Sequence, residues 1–367
     1  MKVPPALALL CFAVPLGGSL RCQTPAAERP RRRVFLLAGQ SNLAYLDLGP
    51  KGPAGLRRKN VTYLTLHQGA GPDAPRPLME IGARLGDAHP KDHCYLLDFA
   101  VPGSALFRAF ARLGRRPVPW WVGGGGSILE RVRKALPWLP RLQPESLTIL
   151  WSQGETDMLH GVGPATYRDG ALLVFDAIRK HWFGLRKARV LLIPPGTIDS
   201  RHQVGRLAQG VRDAYVLLDG FSGAGLDVRL LCTHHDLPMT DAYHHSYQGY
   251  LEFARRIGDA LTRGPLTLPR LAAFEAGAVR LRAPAGASFT GFGGIETLFF
   301  LDSDEGLIPC RPRLLGSDLL LLPHRPPPAK GHLVLRYLPG SGYPGLWRRR
   351  GLAQGGRMLP PFAIPVR

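Results

Sequence analysis

Apolar runs, cut by glycine, proline and short polar turns, set the rhythm of this chain. Val34-Phe35-Leu36-Leu37-Ala38 contains no polar residue and ends at Gly39, the pattern of a strand buried on both faces. Val61-Thr62-Tyr63-Leu64-Thr65-Leu66 alternates as a second strand, and Tyr95-Leu96-Leu97-Asp98-Phe99-Ala100 reads as a third. Leu147 to Trp151 gives a fourth and Val190 to Ile193 a fifth, the latter stopped by Pro194-Pro195. Helical spacing lies between them. Ser127-Ile128-Leu129-Glu130 is a capping box that starts a helix. Leu172, Phe175 and Ile178 line a helix predicted from Ala165 to Lys180, Val204, Leu207, Val211 and Tyr215 make another stripe, and a last helix runs from Ser246 to Leu261. Strands alternating with helices imply a parallel sheet covered on both faces, a three-layer α/β/α domain over residues 33–263.

The pattern changes near Gly264-Pro265. Beyond it, short apolar strands follow one another without helical spacing: Val279–Arg282, Thr297–Leu301, Leu319–Leu322 and Leu333–Leu338. Proline and glycine between them predict a small C-terminal β domain over residues 264–367. At the other end, Lys2, an apolar run from Ala6 to Leu16 and Gly17-Gly18-Ser19 read as a signal peptide, residues 1–22, too short to span a bilayer. Residues 23–32 form a basic linker. The expectation is an exported chain, periplasmic or extracellular, with no membrane span after cleavage. Leu20-Arg21 is a poor context for lipid attachment at Cys22.

Composition narrows the partners. The 367 residues carry a formal net charge of +20, yet no nucleic-acid recognition motif accompanies it, and the basic residues are dispersed apart from Arg29 to Arg33 and Arg348 to Arg350. Nucleic acid is therefore not the expected partner. Cys94, Cys232 and Cys310 lie far apart and suggest no disulfide framework; Cys94, in an apolar strand, is expected to be a buried thiol. Gly123 to Gly126 precede no Lys-Ser/Thr, so a phosphate-binding loop is excluded and a hinge is expected. Trp120 and Trp121 beside it are candidates for sugar stacking or packing.

Four strand ends carry polar chemistry: Gln40-Ser41-Asn42, Gly103, Gln153, and Asp241-Ala242-Tyr243-His244 before the last helix. Each taken singly is an ordinary turn or helix cap. Together they supply what acyl transfer needs: a nucleophile, a base and donors for an oxyanion. An Asp three residues before a His can orient the imidazole while the other ring nitrogen faces a serine. Gly103 can offer a backbone N–H, which Pro102 lacks, Gln153 a side-chain N–H and Ser41 its own backbone N–H. A lipase-type elbow is excluded because position 43 is leucine.

Gly39-Gln40-Ser41-Asn42, Trp151-Ser152-Gln153-Gly154-Glu155-Thr156-Asp157 and Asp241-x-x-His244 resemble the motifs of SGNH-type carbohydrate esterases, in the branch of sialate O-acetylesterases and acetylxylan esterases. Leu43 and Pro102 depart from the residues common there. The resemblance implies a flavodoxin-like α/β/α hydrolase domain followed by a β region. It implies Ser41, His244 and Asp241 as the catalytic set, Ser41, Gly103 and Gln153 as the oxyanion hole, and Gln40, Asn42 and Glu155 in support. Glu155 and Asp157 are expected to brace the loops or the glutamine. The implied substrate is an O-acetylated carbohydrate, with no cofactor. A metal cluster drawn from His234, His235, Asp236, Asp241, His244 and His245 competes weakly, because it reuses Asp241 and His244. Two other readings stay open: an esterase of acyl lipids, and a non-catalytic glycan-binding protein using Trp120, Trp121 and the basic surface.

Overall fold

The computed structural model describes residues 29–366 except 66–68, 108–118, 121–126, 196–204, 236, 242, 267, 270–271, 284–287, 291–298, 329–332, 338–352, 355–356 and 359–361. The proposed signal peptide, Cys22, Trp121, the glycine run, Asp236 and Arg348 to Arg350 lie outside the described residues.

Eight strands form the first sheet: β1 (Arg32–Gly39), β2 (Val61–Thr65), β3 (Gly69–Gly71), β4 (His93–Asp98), β5 (Ser146–Ser152), β6 (Ala188–Leu192), β7 (Ser222–Gly223) and β8 (Leu226–Leu230). Their order is β3-β2-β4-β1-β5-β6-β8-β7. The six inner strands are parallel and only the short edges β3 and β7 run antiparallel. β1 is central, pairing Leu37 with Asp98 on one side and Gly39 with Ser152 on the other. The carboxyl ends of β4, β1 and β5 therefore meet at one edge, where open α/β sheets bind ligands.

The helices are α1 (Ser41–Ala44), α2 (Arg76–Ala88), α3 (Ile128–Ala135), α4 (Glu155–Leu159), α5 (Pro164–Ala177), α6 (Gly205–Leu218) and α7 (Tyr247–Arg263). Alternation along β1 divides the core. Val34, Leu36 and Ala38 join Val132 of α3, Tyr167 and Val174 of α5 and Val211 of α6; Phe35 and Leu37 join Leu78 and Ile81 of α2 and Phe253 and Ile257 of α7. Both faces are covered, as expected of a fully apolar strand. The serine half of the capping box forms, Ser127 Oγ accepting from Glu130 N at 3.2 Å at the start of α3. α2 and β8 were not foreseen in the sequence.

The C-terminal region holds β9 (Ala272–Glu275), β10 (Ala278–Leu281), β11 (Phe289–Thr290), β12 (Phe299–Ser303), β13 (Gly306–Leu315), β14 (Asp318–Pro323), β15 (Val334–Tyr337), β16 (Ala353–Gln354), β17 (Arg357–Met358) and β18 (Phe362–Pro365). Seven of these form one sheet, β18-β15-β12-β13-β14-β10-β9, and β11-β16-β17 a smaller one. The paired strands are antiparallel throughout. The chain from Arg31 to Arg367 is one compact unit. Leu266, Leu268, Val279, Leu281 and Leu321 belong to the same apolar cluster as Val34 and Leu36. Leu266 N also donates to Leu230 O at 2.7 Å, tying the start of this region to the end of β8. Among the described residues no helix is long and apolar enough to cross a membrane.

Candidate active site

Gly39 makes the first loop possible. Its φ of +145° lies in the region that favours glycine, and a Cβ there would stand 1.8 Å from Ser152 O. That close approach lets Gln40 N donate to Ser152 O at 2.8 Å. Gly39 O in turn accepts from Val101 N and Ser104 Oγ, each at 3.1 Å, and from Trp120 Nε1 at 3.2 Å. Gln40 locks the β1 loop to the β5 loop: Nε2 donates to Thr156 Oγ1 at 2.8 Å, while Oε1 accepts from Gly154 N and Thr156 N at 3.4 Å. Ser41 follows as the first residue of α1, 6% exposed.

The base comes from a loop 203 residues away. His244 Nε2 lies 3.1 Å from Ser41 Oγ, and His244 Nδ1 lies 2.9 Å from Asp241 Oδ2. Asp241 Oδ1 accepts from Tyr243 N at 2.7 Å and His244 N at 2.8 Å, so one carboxylate shapes the turn and holds the ring. Partial burial acts to raise the Asp241 pKa, but the bonds from the His244 ring and from the Tyr243 and His244 N–H groups outweigh it and hold the pKa below the usual value. A carboxylate on Nδ1 favours the tautomer that leaves Nε2 bare towards Ser41. Asn42 joins the two loops, with Nδ2 donating to Tyr243 O and to Glu155 Oε1 at 3.0 Å each and Oδ1 accepting from Tyr250 OH at 3.2 Å. Tyr45 packs against the His244 ring at 4.9 Å between centroids.

The expected oxyanion donors stand on the neighbouring strand ends. Gly103, exposed and with φ +67°, occupies a turn closed by Ser104 N donating to Val101 O at 3.2 Å. Pro102 before it suits such a turn. Gln153 is wholly buried. Its Nε2 donates to Asp157 Oδ2 and to Ser104 O, the latter at a long 3.4 Å, and its Oε1 accepts from Tyr167 OH at 2.6 Å. Its backbone carbonyl accepts from Tyr215 OH at 2.7 Å; Tyr167 OH is also 2.8 Å from that carbonyl, but its single proton goes to the shorter contact at Oε1. Glu155 Oε1 is held by Asn42, while Oε2 is buried with no hydrogen-bond partner; burial raises this carboxyl's pKa against the bonds from its own N–H and from Asn42.

Several features were not visible in the sequence. Tyr167 and Tyr215, on α5 and α6, read there only as apolar-stripe or unremarked positions, and nothing local signalled their hydroxyl contacts with Gln153. Trp120 has no exposed surface and packs edge-on against Trp151, so it is a core residue rather than a stacking platform. His245 is 3% exposed, with Nε2 at 2.7 Å from His234 Nδ1. Cys94, Cys232 and Cys310 are buried, and none of them forms a disulfide among the described residues. Among the described residues no group of three or more His, Cys, Asp or Glu is arranged to hold a metal ion.

No protein-family model and no curated protein matches the chain. Solved structures do. A carbohydrate acetylesterase from Xanthomonas citri superposes with a TM-score of 0.57 at 14% identity, over 91% of this chain and 79% of that one. A protein from Arabidopsis thaliana reaches 0.46 at 16% identity, over 65% and 100% of the two chains. NanS reaches 0.43 at 12%, over 64% and 98%. The first likeness shows a shared fold that extends through the C-terminal β region.

Proposed function

We propose that this protein is a serine esterase of the SGNH type that removes O-acetyl groups from a carbohydrate. One observation carries the reading: a serine hydroxyl, an imidazole and a carboxylate in line, 3.1 and 2.9 Å apart, at the ligand-binding edge of a parallel sheet. The motifs in the sequence and the fold shared with a carbohydrate acetylesterase support the substrate class. Ser41 Oγ attacks the acetyl carbonyl carbon while His244 Nε2 takes the hydroxyl proton. Asp241 holds Nδ1–H and stabilises the imidazolium. Collapse of the tetrahedral intermediate expels the sugar oxygen, which receives that proton from Nε2. Water activated by the same nitrogen then releases acetate from Ser41. Ser41 N, Gly103 N and the Gln153 amide serve as donors to the oxyanion. For Gln153 the proton available is the one on the 3.4 Å contact to Ser104 O, longer than an ordinary N–H···O bond. In the same reading residues 33–263 are the hydrolase domain of an exported enzyme, and residues 264–367 buttress it.

The test is hydrolysis of p-nitrophenyl acetate, then of an acetylated glycan with release of acetate. Wild type should turn over acetate esters and fall off steeply from acetate to octanoate. Activity rising with chain length would favour an acyl-lipid substrate. Absence of turnover on every ester, with retained glycan binding, would leave a binding protein.

A further inference from the structure

Asp157 is the unusual charge in this neighbourhood. It has no exposed surface, and among the described residues no lysine or arginine pairs with it. Its partners are neutral N–H donors from two different loops. Leu106 N donates to both oxygens, at 3.1 and 2.9 Å, a further bond comes from Phe107 N, and Gln153 Nε2 donates to Oδ2. A carboxylate buried without a counter-ion is costly unless its lone pairs are filled. Here they are filled by the loop carrying Gly103 and by the side chain of Gln153.

We infer that Asp157 is a positioning residue that sets the two oxyanion donors outside the Ser41 loop, by fixing one amide proton of Gln153 and the backbone beyond Gly103 on a single carboxylate. The inference rests on the esterase reading above. With one Gln153 proton committed to Asp157 and Oε1 committed to Tyr167 OH, the amide cannot flip, and only its other proton is left for substrate. The arrangement depends on the charge. A protonated carboxyl must donate from one oxygen, and every neighbour it has there is itself a donor. With the proton on Oδ2, the acceptor that Gln153 Nε2 uses is lost. Burial pushes the Asp157 pKa up to about 6, against the bonds from Gln153, Leu106 and Phe107. Among the described residues the other titratable groups facing it are Tyr167 from α5 and Tyr215 from α6, both pushed by burial above the usual phenol value and therefore neutral throughout.

The experiment is the pH dependence of kcat and KM on p-nitrophenyl acetate for wild type, Asp157→Asn, Gln153→Ala and the double variant. Asp157→Asn should lower kcat by about tenfold or more with KM changed by less than about twofold, the signature of an interaction that matters in the transition state. It should also remove one of two ionisations from the acidic limb. In the Gln153→Ala background the same substitution should cost clearly less than it does alone, because the Gln153 share of the effect is already gone and only the share carried by the Gly103 loop remains. Unchanged kcat, or costs that multiply in the double variant, would overturn the inference. Should Asp157→Asn not fold, the wild-type limb decides: log kcat falling with a limiting slope of about two per pH unit supports it, and a slope of about one overturns it. Ser41→Ala separates the two levels. If that variant stays active the esterase reading fails, whereas a dead Ser41→Ala beside an unaffected Asp157→Asn removes only the role of Asp157.

Discussion

In the proposed mechanism Ser41 and His244 act on one proton, so their losses should not add. Ser41→Ala and His244→Ala are each expected to remove turnover down to the residual rate supplied by the oxyanion donors, and the double variant should be no slower. Gln153→Ala should cost about 10²–10³ in kcat. His245, adjacent and chemically identical to His244, invites use as a control, but its burial gives it a structural role. Removing its ring leaves His234 Nδ1 buried without the 2.7 Å partner it now has and opens a gap beside Phe253 and Tyr250. His245→Ala should therefore lower unfolding stability by about 1–3 kcal/mol while the folded fraction keeps its kcat. Urea unfolding and active-site titration together measure this. His234 does not readily take up charge: burial, and after it the neighbouring His245, keeps its pKa well below the ordinary value.

The elements explain what could be read in advance and what could not. β1 was legible because both its faces are buried from Val34 to Ala38, so no polar residue interrupts that run; Ser41, Gln153, Asp241 and His244 could be singled out as candidates because they sit in short polar strings between such elements. β8 does carry a strand signal, Leu226, Val228 and Leu230 alternating with Asp227 and Arg229, but over only five residues; α2 escaped because it begins at Arg76-Pro77 with no side-chain cap to announce it. The partners of Gln153 escaped for a different reason: Tyr167 and Tyr215 reach it across packed layers, a distance that no local pattern encodes. Two predictions belong to this scale. Gly39→Ala would force a Cβ onto Ser152 O and break the β1–β5 register below the nucleophile, so it should destabilise by more than about 4 kcal/mol or give no folded protein, read by soluble yield and thermal unfolding. The second concerns Asp157. Its pKa is raised on folding from the ordinary 3.8 to about 6, so the folded chain binds the proton more tightly than the unfolded one. This group therefore adds stability as pH falls from about 6 towards 3.8 and adds none on further acidification. Wild type should gain stability relative to Asp157→Asn on going from pH 6.5 to 4.5 in urea titrations, although its kcat falls over the same interval.

At the scale of the molecule, the C-terminal β region continues the core of the α/β part. Ending the chain after Arg263 would strip Leu266, Leu268, Val279, Leu281 and Leu321 from a cluster shared with the central strand. Such a truncation should be insoluble or open on gentle heating, as judged by size-exclusion chromatography; a soluble, fully active fragment would make the β region a separable module. The separation of Ser41 from His244 has a further consequence, one of timing. On a ribosome the nucleophile emerges 203 residues before its base, which at about 5–20 residues per second is a wait of roughly 10–40 s. Through that interval Ser41 has no imidazole within reach, and Asn42, which can already hold Glu155, still lacks Tyr243 O. Under the proposed mechanism ester turnover therefore reports completion of the site. In refolding from urea it should lag the recovery of helix and sheet, because it needs the Ser41 and His244 loops docked and those signals do not.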